Sequence, residues 1–585
     1  MCGIAGVMSR DGRSQDRSIL AALAGALAHR GPDGHGAYSQ DGVDLVHTRL
    51  AIIDLAHGAQ PLINDDGVAL IANGEIYNDP DLRRMLTAHF KTNSDCESAL
   101  HLYARDGVAF ARSLRGMYAI AIHDPARRRL VLARDPFGIK PLYYAQTAVG
   151  FCFASEPQAL IASGLVSARL NPAARDEVLG TQFSAGIETP FAGISRIQPG
   201  ETLVVEKGEV TARLRLPAIT NHPDADLDDG AATAGFGAVW EDSVGAHQRS
   251  DVPYGMFLSG GIDSTAVLAV MARLNAQPVL AFTAAFPDTG VHDERASARA
   301  AAAAVGAIHV EVEVTAADFW NTLPAIAEAM DDPVTDYAAV PTFLLAKQAA
   351  RDVKVVLTGE GGDEMFAGYG RYRAATRALF PKRPWRRPLL AFDGLRAPLR
   401  HWRRAIDAAE GEAAAAGFKG LDAVQAVDCA TWLPGDLLTK LDRCLMAHGL
   451  EGRVPFLDPK IAAFAFALPD RQKVRGRGKW VVRQWLSDSL RVANAFLPKR
   501  GFTVPVAEWI ATEGRRLGPL VARSPGVVEI CHPEAVERLY AGLAPGRAPK
   551  GGAAAWMLLF YALWYRRHML GLRAVGDVFS TLAAK

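Results

Sequence analysis

Residues 254–274 read YGMFLSGGIDSTAVLAVMARL, and their order decides the fold of the larger part of the chain. A short run of strand character passes through Ser-Gly-Gly directly into an apolar run at helical spacing, which is how an α/β unit begins. The same grammar continues downstream. VLAFTAAF (279–286) reads as a strand, ERASARAAAAAVGA (294–307) as a helix and HVEVEV (309–314) as a strand. VPTFLLAKQAAR (340–351) is again helical and VKVVL (353–357) is again a strand. Alternation of this kind predicts a doubly wound parallel sheet with ligands at the carboxyl ends of its strands.

Upstream the texture differs. CGIAGVM (2–8), VDLVHTRLAII (43–53), VALIANGEIYN (68–78), MYAIAIHD (117–124), RLVLARD (129–135) and GFCFASE (150–156) are β-like runs broken by turn signals such as RGPDGHG and NDDG. Helical patterns fall near 18–28 and 96–105, so the first part predicts sheets layered with helices. The stretch PAITNHPDADLDDG (217–230) has linker composition. These readings divide the chain into a layered α+β domain over 1–200, a linker over 201–230, an α/β domain over 231–570 and a tail over 571–585.

Composition bounds the partners. The 585 residues are 49% hydrophobic and 22% charged, with a net charge of +1. That is the profile of an ordinary soluble protein with no call for nucleic acid or membrane as a partner. The apolar stretch GGAAAWMLLFYALWY (551–565) is shorter than the roughly 18 to 20 residues of a spanning helix, and Arg566 and Arg567 end it, so it predicts a buried helix. The basic start of the segment 380–404 reads as solvated surface. Six scattered cysteines without a CxxC pair, and no leader-like start, fit reduced thiols and a cytoplasmic location.

Two clusters carry chemistry. Cys2 becomes the first residue once Met1 is removed, and its α-amine, with a pKa of about 7.7 to 8.0, can then act as the base for its own thiol. HTRLAIID supplies Arg49, able to pair with a carboxylate, while Glu75 in NGEIYN and Asp95 in SDCES can hold an ammonium. Asn73 and the Gly74 amide can donate to an oxyanion. In the second cluster, FLSGGIDSTAV places Ser259, Gly260, Gly261, Asp263 and Ser264 where glycine amides and a helix N-terminus converge on an anion, with no Walker lysine. VVLTGEGGDEMFAGY adds Glu360, Asp363 and Glu364 after a second strand, and GRGKWVVRQWL adds Lys479. One of these carboxylates suits a magnesium ligand and another a base for an incoming amine. Lys479 and Arg483, four apart, predict a shared helical face.

In order and spacing, MCGIAG, HRGPDG, RLAIID, NGEIYN and RDPFGIKPLYY resemble the class II, N-terminal-nucleophile glutamine amidotransferase domain over about the first 200 residues. SGGIDS, the acidic cluster, GLEGRVPFLD and GRGKW resemble the ATP-pyrophosphatase-type synthetase domain of glutamine-hydrolysing asparagine synthetases, EC 6.3.5.4. The resemblance implies that Cys2 attacks the side-chain amide of glutamine and releases ammonia. It implies that Ser259–Ser264 is a pyrophosphate loop, that Leu258, Ala284, Thr358 and Gly359 contact ATP, and that Asp263 and Asp363 hold Mg²⁺. Glu360 and Lys479 fall on the family's catalytic positions, and Asp293 in VHDERA is a weaker metal or substrate candidate. Aspartate is the implied acceptor, activated as β-aspartyl-AMP, with a homodimer as the assembly to test. Ammonia needs a dry passage between the sites, for which apolar residues at the domain junction and the Arg30 loop are the expected walls. The alternatives are the same chemistry on another carboxylate (a peptide, sugar acid or natural-product precursor), a β-lactam-forming relative, a phosphoribosyl or hexosamine amidotransferase, and a non-catalytic scaffold. The intact Cys2 cluster speaks against the β-lactam relative, and the SGGIDS loop against the other amidotransferases.

Overall fold

The structure, a computed structural model, describes residues 2–223, 225–287, 289–291, 294–376, 389–497, 503–544 and 551–584. The stretch behind Cys2 forms β1 (Gly3–Ser9), buried along its whole length. It can be buried on both faces because it is central in an antiparallel sheet and between layers. Its neighbours are Val43–Arg49 on one side and Gly150–Ala154 on the other. A second antiparallel sheet runs from Glu209–Arg215 through Glu201–Glu206, Arg129–Arg134 and Gly116–Asp124 to β2 (Ala69–Ile76) and Leu62–Ile63. Ile4, Met8, Leu45 and Phe153 of the first sheet meet Ile71, Ala121, Leu130 and Leu132 of the second in one apolar layer. Helix Glu97–Asp106 covers the outer face of the second sheet, and helix Arg17–Ala26 packs against β1 and Val43–Arg49 of the first. The layered α+β reading of the N-terminal part is therefore correct.

Two boundaries move. Residues 201–215, read from composition as the start of a linker, are two strands paired to each other and to Arg129–Arg134. Leu203 and Val205 are fully buried in the layer between the sheets, and this burial ties the segment to the N-terminal unit. At the other end, the tail carries helix Val578–Ala583, whose Val578 and Phe579 are buried.

The second unit is built on five parallel strands in the order Ile308–Glu313, β4 (Leu280–Ala285), β3 (Tyr254–Phe257), β5 (Val355–Leu357) and β6 (Glu451–Arg453). The chain moves outward from β3 to one side and then returns to pair β5 on the other. The crevice at such a reversal lies outside the carboxyl ends of β3 and β5. The loop after β3 leads into α1 (Ile262–Leu274). The apolar stretch near the C-terminus is helix Gly552–His568, buried in the same unit, where Trp556 Nε1 donates to the Thr335 carbonyl at 2.7 Å and Trp564 Nε1 to that of Asp331 at 3.0 Å. No helix among the described residues is long and apolar enough to cross a membrane. Of the basic segment, 377–388 lies outside the described residues.

Candidate active sites

Cys2 immediately precedes β1, and its backbone N–H donates to Asn73 Oδ1 on β2 at 3.0 Å. That bond fixes the orientation of the Asn73 amide, because the oxygen must face the donor. The other end of the amide, Nδ2, is buried without a hydrogen-bond partner. A buried unpaired donor costs about 1–3 kcal/mol, and one beside a thiol is what an oxyanion would satisfy. Gly74 admits no side chain, since a Cβ there would sit 2.1 Å from the Met117 carbonyl oxygen. Burial pushes the Cys2 thiol up, and the chain's amino terminus pulls it the other way. The other five cysteines are free and buried. We expect Asn73→Ala to lower glutamine hydrolysis by about 10²- to 10³-fold, the effect of removing one oxyanion donor, while ammonia-dependent synthesis stays near wild type. Steady-state assays with the two nitrogen sources check this.

Glu75 and Asp95 come together near the thiol. Both are buried, and Asp95 accepts from the Ile76 N–H. Burial, with Asp95 nearby, pushes the Glu75 carboxyl well above the usual range, and burial carries Asp95 to about 6. Two acids destabilised in this way would gain from an incoming ammonium. The Arg49 guanidinium donates to the carbonyls of Asp54 at 2.6 Å and Leu55 at 3.2 Å, so in this structure it holds the loop after Leu50.

The junction beside Cys2 is ionic, in contrast to the expected apolar walls. Arg30 is fully buried and donates from Nε to the Cys2 carbonyl at 3.2 Å, and from its two Nη atoms to Asp442 at 2.8 and 2.9 Å and to Glu156 at 2.6 Å. Arg443 continues the chain of charges to Asp442 at 2.8 Å and Asp331 at 2.7 Å. Glu75 faces Arg453 of β6 at 3.3 Å. Charges removed from water require partners of this kind, and the partners are drawn from both units.

At the second site, Ser259 and Ser264 cross-link the loop after β3. The Ser259 N–H donates to Ser264 Oγ at 3.2 Å, the two hydroxyls lie 3.1 Å apart, and the Gly261 N–H donates to Ser259 Oγ at 3.2 Å. Gly260 has φ +69°, and a Cβ there would lie 2.8 Å from the Ala298 nitrogen. The loop after β5 closes onto the first one: a Cβ on Gly359 would lie 2.8 Å from the Ser264 nitrogen, and one on Gly362 2.6 Å from Asp263 Oδ1. Thr358, Leu258 and Ala284 are buried at the strand ends around these loops. Asp293 lies outside the described residues.

Lys479 is only 2% exposed and forms ion pairs with Asp263 and with Asp363, the latter at 2.6 Å. Burial alone would lower its ammonium pKa, but the two carboxylates overcome that and hold it above the ordinary value. The helical-face reading fails here. Lys479 caps α2 (Trp480–Ser489) with a left-handed backbone, φ +55°, and its N–H donates to the Phe366 carbonyl at 3.0 Å. Arg483 turns away to the Gly478 and Leu497 carbonyls. A non-glycine residue is held in that conformation only where its surroundings over-determine it. The surroundings here include Gly368, where a Cβ would lie 2.1 Å from Lys479 Cε.

Glu360 is raised by burial, against Lys440 at 4.0 Å. Glu364 is raised to about 8 by burial and by Asp363, and it accepts from the Tyr369 hydroxyl at 2.7 Å. Sequence reading missed three neighbours: Lys440 donates to Asp336 at 2.6 Å, and Asp436 is fully buried beside them. The interruption LPGD within an apolar helical run was the available signal.

A thiol held beside an unpaired buried amide, in a unit joined by buried ion pairs to one that carries a glycine-lined loop at the ends of parallel strands, is the arrangement of an amidotransferase joined to a nucleotide-dependent synthetase. Residues 236–566 match the asparagine synthase family and residues 1–215 the glutamine amidotransferase domain. A Mycobacterium tuberculosis protein provisionally named a glutamine-hydrolysing asparagine synthetase is 34% identical over 97% of each chain. The glutamine-hydrolysing asparagine synthetase 1 of Bacillus subtilis is 29% identical over 97% of this chain and 96% of its own. Asparagine synthetase B of Escherichia coli is 29% identical over 88% and 84%. The chain belongs to the asparagine synthase family, whose members named here are glutamine-hydrolysing ligases.

Proposed function

We propose that the chain makes asparagine from aspartate, with glutamine as nitrogen donor and ATP as activator, through β-aspartyl-AMP. The observation that carries this reading is the Asp263–Lys479–Asp363 cluster packed against the Ser259–Ser264 loop, in a chain that also presents Cys2 to Asn73.

With Met1 removed, the Cys2 amine takes the thiol proton and Sγ attacks the glutamine amide carbon. Asn73 Nδ2 and the Gly74 N–H hold the oxyanion, Glu75 and Asp95 the ammonium of glutamine, and Arg49 its carboxylate. The C–N bond breaks, ammonia leaves with the proton, and water hydrolyses the thioester. At the second site the loop from Ser259 to Ser264 holds the β- and γ-phosphates, with Leu258, Ala284, Thr358 and Gly359 around the nucleotide. The acceptor carboxylate attacks the α-phosphorus, and pyrophosphate departs against the Lys479 ammonium. Ammonia then displaces AMP from the acyl carbon, and Glu360 takes the surplus proton.

Asp263 Oδ1 is buried without a hydrogen-bond partner. With Asp363 it forms a hard-oxygen pair of the sort that, together with phosphate oxygens and water, suits Mg²⁺. The ion would neutralise phosphate charge when bound.

The decisive experiment supplies glutamine, ATP and a panel of acceptors and follows AMP, pyrophosphate and amide by mass spectrometry. Release of ADP and phosphate instead of AMP and pyrophosphate would refute the adenylylation route. Asp263→Asn is expected to suppress amide formation with glutamine and with ammonia alike, while glutamine hydrolysis persists. Equal loss of both in a folded variant would assign Asp263 a structural role.

A further inference from the structure

Asp436 lies in a π turn, Leu433–Leu438, that interrupts the helical run after Ala430. Packing accounts for the turn. A Cβ on Gly435 would lie 2.7 Å from the Phe183 ring and 2.9 Å from the Ser184 carbonyl oxygen, so only glycine lets the helix approach the N-terminal unit there. Thr439 Oγ1 donates to the Pro434 carbonyl at 2.8 Å and satisfies one group freed by the wider turn. Turns of this kind recur at functional sites because they redirect single side chains. Here the redirected side chain is Asp436. It has no solvent exposure, and neither carboxylate oxygen has a hydrogen-bond partner. Lys440 on the next turn pairs with Asp336 at 2.6 Å and lies 4.0 Å from Glu360, which ties this turn to the loop after β5; Asp336, Lys440, Glu360 and Glu364 are the charged neighbours of Asp436.

A buried carboxylate with both oxygens unsatisfied is costly, and burial together with Asp336 pushes its carboxyl well above the usual range. A second carboxylate ligand would add to the repulsion. A cation with N–H donors would remove both penalties. Lys440, four residues on, is tied to Asp336 at 2.6 Å and sets a positive charge in the same cluster. An acid and a base side by side match the dipolar head of an α-amino acid, with the ammonium toward Asp436 and the carboxylate toward Lys440.

We propose that Asp436 is the acceptor-reading residue of the synthetase site, and that it binds the α-ammonium of an amino-acid acceptor and so excludes acceptors that lack one. The proposal deepens the amide-synthesis reading above and rests on it. It separates an amino acid from a sugar acid or simple dicarboxylate as substrate class.

The test uses ammonia as nitrogen source and pyrophosphate release as readout. The acceptors are L-aspartate, L-glutamate and isoasparagine, which carry the ammonium, and succinate and N-acetyl-L-aspartate, which do not. The wild-type protein is expected to turn over an ammonium-bearing acceptor and to use its deamino or acylated counterpart about 10- to 100-fold less well, the scale of one hydrogen bond to a charged group. Asp436→Asn should raise the KM of the preferred acceptor by a similar factor and collapse that discrimination, with the KM for ATP unchanged and the melting temperature not lowered. The wild-type comparison stands even if the variant does not fold. Turnover confined to acceptors without an ammonium, equal use of succinate and aspartate, or an Asp436→Asn protein with unaltered acceptor KM overturns the proposal. Use of glutamate or isoasparagine but not aspartate would instead refute aspartate as acceptor and leave the role of Asp436 standing.

Discussion

Cys2→Ala is expected to abolish glutamine-dependent amide synthesis while ammonia-dependent synthesis continues near the wild-type rate. In the proposed route Cys2 forms the acyl intermediate, and the neighbouring thiol, Cys96 at the Gly74 carbonyl, is buried and pushed well above the usual range, so the loss with glutamine should reach the detection limit. The second site requires only the amine, which free ammonia supplies. The substitution is small: the Cys2 side chain touches the Leu50 carbonyl at 3.9 Å, and the backbone contacts to Asn73 and Arg30 do not depend on sulfur. Protein that retains Met1 should behave like the variant, because an amine locked in a peptide bond cannot take the thiol proton. Amide formation from each nitrogen source, measured beside N-terminal mass analysis, tests both statements. Failure of ammonia to rescue a folded Cys2→Ala protein would mean that the two sites are not separable steps.

Lys479→Ala should depress pyrophosphate release by at least about 100-fold at saturating ATP, aspartate and ammonia, the scale of removing one transition-state charge donor. The structure makes the loss larger than a missing contact. Asp263 and Asp363 both lean on this ammonium, and without it two carboxylates face incoming phosphates uncompensated. The effect should fall on turnover more than on ATP binding if the charge develops between the α- and β-phosphates. Lys479→Arg should rescue little. A planar guanidinium needs width, and Lys479 is itself 2% exposed with Gly368 packed against its side chain. Near-normal turnover in Lys479→Ala would remove this lysine from the chemistry.

Legibility in the sequence tracked distance along the chain. Cys2 with β1, and the Ser-Gly-Gly turn between β3 and α1, are contiguous signals in which residue type and geometry coincide, and the parallel sheet followed from alternation. Lys479 was legible as a residue but not as a geometry. Spacing to Arg483 suggests a helical face, whereas docking of its N–H on Phe366 imposes a left-handed cap. Asp436 was not legible, because the π turn that aims it depends on Gly435 meeting Phe183 and Ser184 far upstream. The ionic junction was hidden for the same reason. Arg30 and Asp442 lie 412 positions apart, and each taken alone resembles a solvated surface charge.

That pairing limits how this architecture can be recombined. In sequence the chain looks like two cassettes, and an engineer would be tempted to exchange the first for another ammonia-producing one. Yet the arginine that grips the Cys2 carbonyl also grips an aspartate of the other cassette, with Glu156 and Arg443 woven into the same knot. A transplanted cassette without a matching cation would leave Asp442 in a dry interior with Arg443 as its remaining partner. It would also slacken the backbone that presents the thiol, so a successful chimera must carry over both sides of the seam.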